Sequence, residues 1–355
     1  MEPWITKLLQ TARLVVLYFA RIVFVRNHHK VSLRQKLSAN IGGGFLADQY
    51  ALYDLGHNNR WDYLSEFDWY RSRYINSPHS FMLNNKVVCS ELLRPYVGVP
   101  AILMLKSRGR YISYDDSIRD ASSVAAALAP GTALYCKPLS AGKGKDVLRL
   151  ELGDDGLLVN GEARSRDWLR RLLTSRDNWF VSQSVTQGQY GASLYDKTTN
   201  TIRFIVLQDE ETGHFKPFFA VQRIGVKASI PVDNGSRGGL VAKIDMATGE
   251  LSHAQTLHSL DRHVSHPDTG APIQGVRVPG WDAVKDDIVA LSDHFWWLQI
   301  IAWDLVLTDA GIVVIEANTS TGVNIIQLWG GQRNQELGDF YRRHGLLRPR
   351  KKAEA

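Results

Sequence analysis

The chain has 355 residues, of which 44% are hydrophobic and 22% charged. That length buries a sizeable core without disulfide staples, and that balance excludes a disordered or fibrous protein. Forty-two Lys and Arg against 36 Asp and Glu leave a net charge of +6. This sign suits nucleic acid, an anionic membrane or nucleotide phosphates without choosing among them.

In chain order, the first candidate element is an apolar stretch over residues 4–25. Lys7, Arg13 and Arg21 interrupt it, so no run reaches the ~20 apolar residues of a spanning helix. Arg21, Arg26 and Lys30 fall where a signal peptide needs small residues, which argues against cleavage. The expectation is an amphipathic helix packed on the protein, with a membrane surface or a partner as the alternative. The first 85 or so residues read as helical, and Trp61, Tyr63, Phe67, Trp69, Tyr70 and Tyr74 recur near helical spacing as core packing.

A short helix is expected in V-V-C-S-E-L-L-R-P-Y, a strand in V-G-V-P-A-I-L-M-L and a helix over residues 117–128. Strands and glycine turns follow: T-A-L-Y-C-K-P, the loop S-A-G-K-G-K-D, V-L-R-L-E-L and a D-D-G turn into L-L-V. A helix over 165–174 precedes the strand N-W-F-V-S-Q-S-V, and T-I-R-F-I-V-L with F-K-P-F-F-A-V-Q-R-I makes an antiparallel pair. A helix from Trp281, the strand W-D-L-V-L-T, a turn at Asp309-Ala310-Gly311 and the strand G-I-V-V-I-E-A-N close the pattern. The fold class is α+β with mixed, mostly antiparallel sheets, and a basic tail from Arg342 is expected to fray. Cys89 and Cys136 are too few for a disulfide framework and fit a reducing compartment.

The sharpest chemical signal is Asp304, Glu316 and Asn318. Side chains alternate along a strand, so Glu316 and Asn318 share a face, and Asp304 lies on the preceding strand. Two carboxylates and an amide suit Mg²⁺, and the apolar flanks I-I-A-W and G-I-V-V-I pull them into a buried site. Second, Lys137 ends a strand beside a loop with Gly142 and Gly144, which can wrap a cation and backbone N–H groups around phosphate. The loop is not a Walker A sequence, since Gly144-Lys145 precedes Asp146. Third, Arg203 and Arg223 interrupt apolar strands, and Asn234 and Arg237 follow in D-N-G-S-R-G-G. A buried arginine needs an anion, either a ligand's phosphate or carboxylate or an internal salt bridge. His258, His263 and His266 lie in a Ser-, Asp-, Pro- and Gly-rich stretch that reads as loop rather than zinc site.

These pieces in this order resemble the ATP-grasp superfamily. N-T-I-R, D-N-G-S-R-G-G, H-P-D-T-G and the W-D-L-V-L-T to I-E-A-N pairing are most similar to the sugar-transfer-associated subfamily, over residues 84–327 and more loosely the helical N-terminus. The resemblance implies an ATP-grasp fold of two α+β subdomains clasping ATP behind a helical region. The expected divisions are 1–85, a small lid subdomain at 86–185, a large subdomain at 186–340 and a flexible tail at 341–355. It implies that Lys86 and Lys137 bind ATP phosphates, that Gly142 and Gly144 form the phosphate loop, and that Ser182, Gln183 and Val185 line the adenine hinge. Arg203, Arg223, Asn234 and Arg237 would hold the γ-phosphate and an acyl-phosphate, and Asp304, Glu316 and Asn318 would hold Mg²⁺, with Mn²⁺ as the alternative metal. The hinge V-S-Q-S-V lacks the glutamate usual in such hinges, which leaves nucleotide preference open. His266 and Asp268 are expected to line the acceptor pocket.

The implied activity is that of an ATP-dependent carbon–nitrogen ligase joining a carboxylate and an amine, both small molecules or peptides, through an acyl-phosphate. A kinase acting on a small-molecule acceptor is the alternative, and a basic nucleic-acid or membrane-surface module the minor one. No nucleic-acid partner is expected, and the location is cytoplasmic, with a peripheral position at the inner membrane face as the variant. Replacing Asp304 and Glu316 together by Ala is expected to abolish ATP turnover with the fold intact. Lys86, Lys137, Lys143, Lys145, Arg203, Arg223 and Arg237 are read as one cationic cleft lining that absorbs most of the +6.

Overall fold

The computed structural model describes residues 3–139, 146–257 and 259–349. Short helices occupy the first part: α1 (Pro3–Tyr18), α2 (Leu33–Ile41), α3 (Ala47–Leu52), α4 (Glu66–Ser72), α5 (Ser80–Asn84) and α6 (Lys86–Leu93). Their starts are written in side chains. Ser32 and Ser65 each accept the N–H three residues on while Gln35 and Asp68 reach back to the cap N–H, pairing donors a helix start otherwise leaves open.

The first antiparallel sheet is built from β1 (Ile102–Ser107), β2 (Arg110–Ser113), β3 (Ala133–Pro138), β4 (Leu148–Gly153), β5 (Gly156–Val159), β6 (Glu162–Ala163) and β7 (Trp179–Gln183). Its order is β2-β1-β7-β3-β4-β5-β6, so β7 inserts between two earlier strands. One face packs Met104, Leu134, Cys136, Leu150 and Val181 against Leu169 and Leu173 of α7 (Arg166–Ser175) and against Ile118, Val124 and Leu128.

The helix expected over 117–128 is instead a chain of turns. Asp115 Oδ1 accepts the N–H and hydroxyl of Ser117, Asp120 Oδ1 accepts those of Ser122, and Ser123 Oγ accepts the N–H groups of Arg119 and Asp120. Closely spaced Ser and Asp thus offer the backbone local partners that outcompete the helical ladder. The apolar residues of the segment still reach the core.

The second antiparallel sheet contains β8 (Ile202–Gln208), β9 (Phe215–Ile224), β10 (Leu240–Ile244), β11 (Leu251–Gln255), β12 (Arg262–His263), β13 (Ile300–Thr308) and β14 (Gly311–Asn318), in the order β12-β11-β10-β9-β8-β13-β14. α8 (Gln189–Leu194) leads into it. Its inner strands β8, β10 and β13 are mostly apolar because both faces are covered. Phe204 and Val206 point to α9 (Trp281–Asp293), while Ile205, Leu207, Ile300 and Ala302 point to α10 (Val323–Gln327), α11 (Glu336–Arg343) and Leu64. Fraying was expected from Arg342, yet α11 runs on to Arg343 and Leu347 is buried on this second face; residues 350–355 lie outside the described residues.

Two amides tie the helical region to this sheet. Asn76 Nδ2 donates to the carbonyls of Ile300 (2.7 Å) and Thr319 (2.9 Å), and its Oδ1 accepts Gln299 N–H (2.7 Å). Gln327 both accepts from Leu64 N–H (2.7 Å) and donates to Leu64 C=O (2.9 Å). Among the described residues no helix is long and apolar enough to cross a membrane. Asn76→Ala strips partners from buried backbone groups on two elements at once, and is expected to cost about 2–4 kcal/mol of stability in urea unfolding, with the m-value unchanged.

Candidate functional site

Asp304 stands in register with Arg203 on one neighbouring strand and with Glu316 on the other. Directly opposed residues of an antiparallel pair project to the same face, so the three form a row across β8, β13 and β14. Arg203 Nε and Nη2 donate to the two oxygens of Asp304, both at 2.6 Å, and Arg223 Nη1 donates to Asp304 Oδ2 at 2.9 Å. Arg223 Nη2 reaches Asp233 Oδ1 at 2.7 Å, and Asp233 Oδ2 accepts the N–H of Thr201 at 2.8 Å together with its hydroxyl. Internal ion pairs, the alternative left open for these two arginines, are therefore what this state contains. Asp304 and Arg223 are both buried. Burial works against the Arg203 charge, but the Asp304 carboxylate outweighs it and holds the guanidinium above its ordinary range.

Lys86 Nζ lies 2.9 Å from Glu316 Oε2. Lys86 opens α6 behind Asn85, whose side chain accepts the N–H groups of Val87 and Val88, and its own N–H donates to Leu139 C=O at the end of β3. The lysine thus sits where the first sheet meets the second. Burial alone would raise Glu316; Lys86, aided by Arg203, holds its carboxyl well below the usual carboxylate range. Asn318 Nδ2 is 3.4 Å from Glu316 Oε1. Lys137, on β3, lies with its ammonium 4.9 Å from the ring centroid of Tyr135. Burial and the nearby Lys86 charge pull it down to about 8, against the pull of Glu316.

These groups open into one cavity of about 1090 Å³ between the two sheets and the helical region. Lys86, Lys137, Ser182, Gln183, Val185, Arg203, Arg223, Asn234, Asp304, Glu316 and Asn318 all line it. Arg237 does not: it is exposed on a 3₁₀ turn (Gly235–Arg237) capped by Asn234, whose Oδ1 accepts Ser236 N–H at 2.9 Å. Gly142 and Gly144, with Lys143 and Lys145, lie outside the described residues, as does His258. His266 and Asp268 were expected in the pocket. His266 is instead buried, stacked on Tyr195 at 4.5 Å and hydrogen-bonded to Gly225 C=O at 2.8 Å. Asp268 accepts Lys227 N–H, and neither residue lines the cavity.

Two parts of the wall escaped sequence reasoning. Asp233 is the second anion that Arg223 needs, and it stands directly before Asn234. Two arginines on apolar strands against one Asp304 could have revealed it. The other part is the helical region, which contributes Arg13, Trp69, Tyr70 and Arg73. Arg73 lies 4.6 Å from the Trp69 ring and 4.9 Å from the Tyr70 ring, so aromatics read as plain core packing also face the cavity. Ser80, Ser90 and Ser182 belong to its wall, their hydroxyls buried without a protein hydrogen-bond partner.

The donor set of Asp304, Glu316 and Asn318 suits a hard divalent cation by its chemistry: two carboxylates and an amide oxygen from adjacent strands. Among the described residues no cluster of three or more His, Cys, Asp and Glu side chains is placed to hold a metal, so any such ion depends on the Asn318 oxygen or on a ligand.

Residues 67–336 match the family model described as sugar-transfer associated ATP-grasp. No curated protein matches the sequence. Among solved structures, the chain is similar to an L-amino acid ligase from Bacillus licheniformis, at 10% identity over 69% of this chain and 42% of that one, with a TM-score of 0.38. It is also similar to a D-alanine–D-alanine ligase from Bacillus anthracis complexed with ATP, at 12% identity, 74% and 61% coverage and a TM-score of 0.35. The ATP-grasp ligase PsnB complexed with minimal precursor gives 17% identity, 76% and 63% coverage and a TM-score of 0.38. The chain spans less than two thirds of each of these proteins.

The ion pairs revise one expectation. Removing Asp304 strands two guanidiniums inside the protein, so Asp304→Ala is expected to lose about 3–5 kcal/mol of stability rather than leave the fold intact. Glu316→Ala, at a half-buried carboxylate, is expected to lose far less; chemical denaturation of the two single variants separates the roles.

Proposed function

The chain belongs to the sugar-transfer associated ATP-grasp family, and from that premise we propose that it is an ATP-dependent carboxylate–amine ligase. The observation that carries the reading is the grouping of Lys86, Lys137, Arg203 and Arg223 with Asp304 and Glu316 on the wall of one 1090 Å³ cavity. Four cations around a buried pocket suit a polyphosphate, and phosphoryl transfer is accelerated chiefly by positioning and charge neutralisation.

In this reading a substrate carboxylate oxygen attacks the γ-phosphorus of ATP and ADP departs, giving an acyl-phosphate. An amine then attacks the acyl carbon, inorganic phosphate leaves, and the nitrogen gives up its proton, closing an amide bond. Mg²⁺, held by Asp304, Glu316 and Asn318, would neutralise phosphate charge when bound. Lys86 faces the phosphates from the start of α6, Lys137 from the first sheet, and Arg203 and Arg223 from the second. Asp304 orients Arg203 and Arg223 toward the cavity before any ligand enters. Ile102 and Phe180 on the cavity wall offer an apolar flank for a base.

The test is ADP release by the purified protein with carboxylate and amine pairs, with and without Mg²⁺. Oxygen-18 passing from the substrate carboxylate into released phosphate supports the acyl-phosphate; a phosphorylated product with no such transfer overturns it in favour of a kinase. Lys137→Ala is expected to lower kcat/KM for ATP roughly 10²–10³-fold.

The pH dependence has a definite sign. Lys137 is charged below about 8, and phosphate contact favours its charged form, so above that pH ATP binding takes up a proton. Affinity for ATP is expected to fall as pH rises through 8 to 9 in the parent, and to stay flat over that range in Lys137→Arg, by calorimetric titration.

A further inference from the structure

The net charge is not spread over the chain. Residues 1–47 hold seven of the 42 Lys and Arg (Lys7, Arg13, Arg21, Arg26, Lys30, Arg34, Lys36) and one of the 36 Asp and Glu, Glu2. The whole +6 therefore resides there, and the 35 cations of the remainder meet 35 carboxylates. Of the cavity cations, Lys86, Arg203 and Arg223 are matched locally by Glu316, Asp304 and Asp233, so these three do not account for the excess that sequence reasoning assigned to the cleft.

The same segment concentrates apolar exposure. Of the 19 large apolar side chains most exposed among the described residues, ten precede residue 42. On α1 they follow helical spacing: Trp4 (65% exposed), Leu8, Val15 and Val16 (66%) form one stripe, continued by Phe19 just past its end. The opposite side, through Leu17, Tyr18 and the continuing turn with Ile22, faces the protein. On α2, Leu33 (72%), Leu37 and Ile41 repeat the stripe at i, i+4 and i+8. Tyr18 Oη, donating to Asn40 C=O at 2.6 Å, ties the ends of the two helices together.

We propose that α1 and α2 form a docking face for an anionic lipid surface. Each apolar stripe enters the headgroup boundary while Lys30 and Arg34, both exposed, meet lipid phosphates. Two amphipathic helices with cations and no carboxylate over residues 3–47 fit this occupant in both apolarity and sign. A second copy of the chain fits less well, because an interface symmetric in these helices sets their like charges against each other. The arrangement does not depend on the ligase reading, since the outward side chains of these stripes lie outside the cavity.

The experiment is sedimentation of the full chain with vesicles of phosphatidylcholine alone and of phosphatidylcholine and phosphatidylglycerol in equal parts. Binding to the anionic vesicles, weakened by added salt, is expected. Lys30→Ala with Arg34→Ala should lower partitioning about 25-fold, at about fivefold per cation, and Leu8→Glu with Val16→Glu should abolish it. Circular dichroism and ADP release of the variants should match the parent. A parent that stays in the supernatant with both vesicles overturns the proposal, as does binding that neither variant alters. Self-association dissolved by Leu8→Glu with Val16→Glu, without vesicle binding, overturns it in favour of a second copy.

Discussion

One shared carboxylate organises the cavity. Asp304 receives three charge-assisted hydrogen bonds, two from Arg203 and one from Arg223, on the face of the sheet where Ile205, Leu207, Ile300 and Ala302 are packed dry. Desolvating these charges costs several kcal/mol per ion, and mutual pairing recovers it only when every donor and lone pair is used. That condition explains the neighbours. Arg223 needs a second anion, which Asp233 supplies, and Asp233 in turn is held by Thr201. The register Arg203–Asp304–Glu316 then places the remaining carboxylate next to Lys86. The polar row is a chain of obligations that begins at one buried aspartate.

Such a row is poor value as a stabiliser, since apolar residues of the same volume often do as well. What it provides is orientation. A guanidinium gripped at both Nε and Nη2 has one direction left for its remaining N–H groups, so Arg203 presents a fixed donor pattern to anything entering the cavity. Lys137 is the opposite case: its charge is weakened by burial and by Lys86, and it gains most from an anionic ligand. One sheet contributes rigid cations and the other a titratable one, and the ligand-sized space lies between them.

The strands of the second sheet were plainly visible in sequence because their apolar runs are bounded by turn residues, and Gly311 at φ 123° closes the β13–β14 hairpin where a turn was read. Asp304, Glu316 and Asn318 were visible for the same reason, as polar interruptions of apolar strands. What was not visible follows from three-dimensional competition. Residues 117–128 carry a helical apolar pattern, but their Ser and Asp side chains satisfy the backbone locally. His266 looked like a loop residue because nothing local announces that Tyr195 stacks on it. Arg203 and Arg223 were legible as residues needing anions, whereas which anions depended on strand order, and the neighbour relation of β8 with β13 crosses about a hundred residues of chain.

The helical region carries two tasks on opposite sides of one helix. Arg13 and Leu17 of α1 line the cavity, while Trp4, Leu8, Val15 and Val16 face outward. A helix of sixteen residues is marginal by propensity and relies on tertiary packing. The deepest anchor is Ile22, just past its end, with Tyr18 set edge-on against Phe67 at 5.5 Å. The first turns of α1 lie N-terminal to these anchors, and Arg13 sits between them and the buried end of the helix. The amide clamps of Asn76 and Gln327 act further along, fixing the rest of the helical wall to the sheet, so that in the proposed docking α1 lies between a lipid surface on one side and the cavity wall on the other.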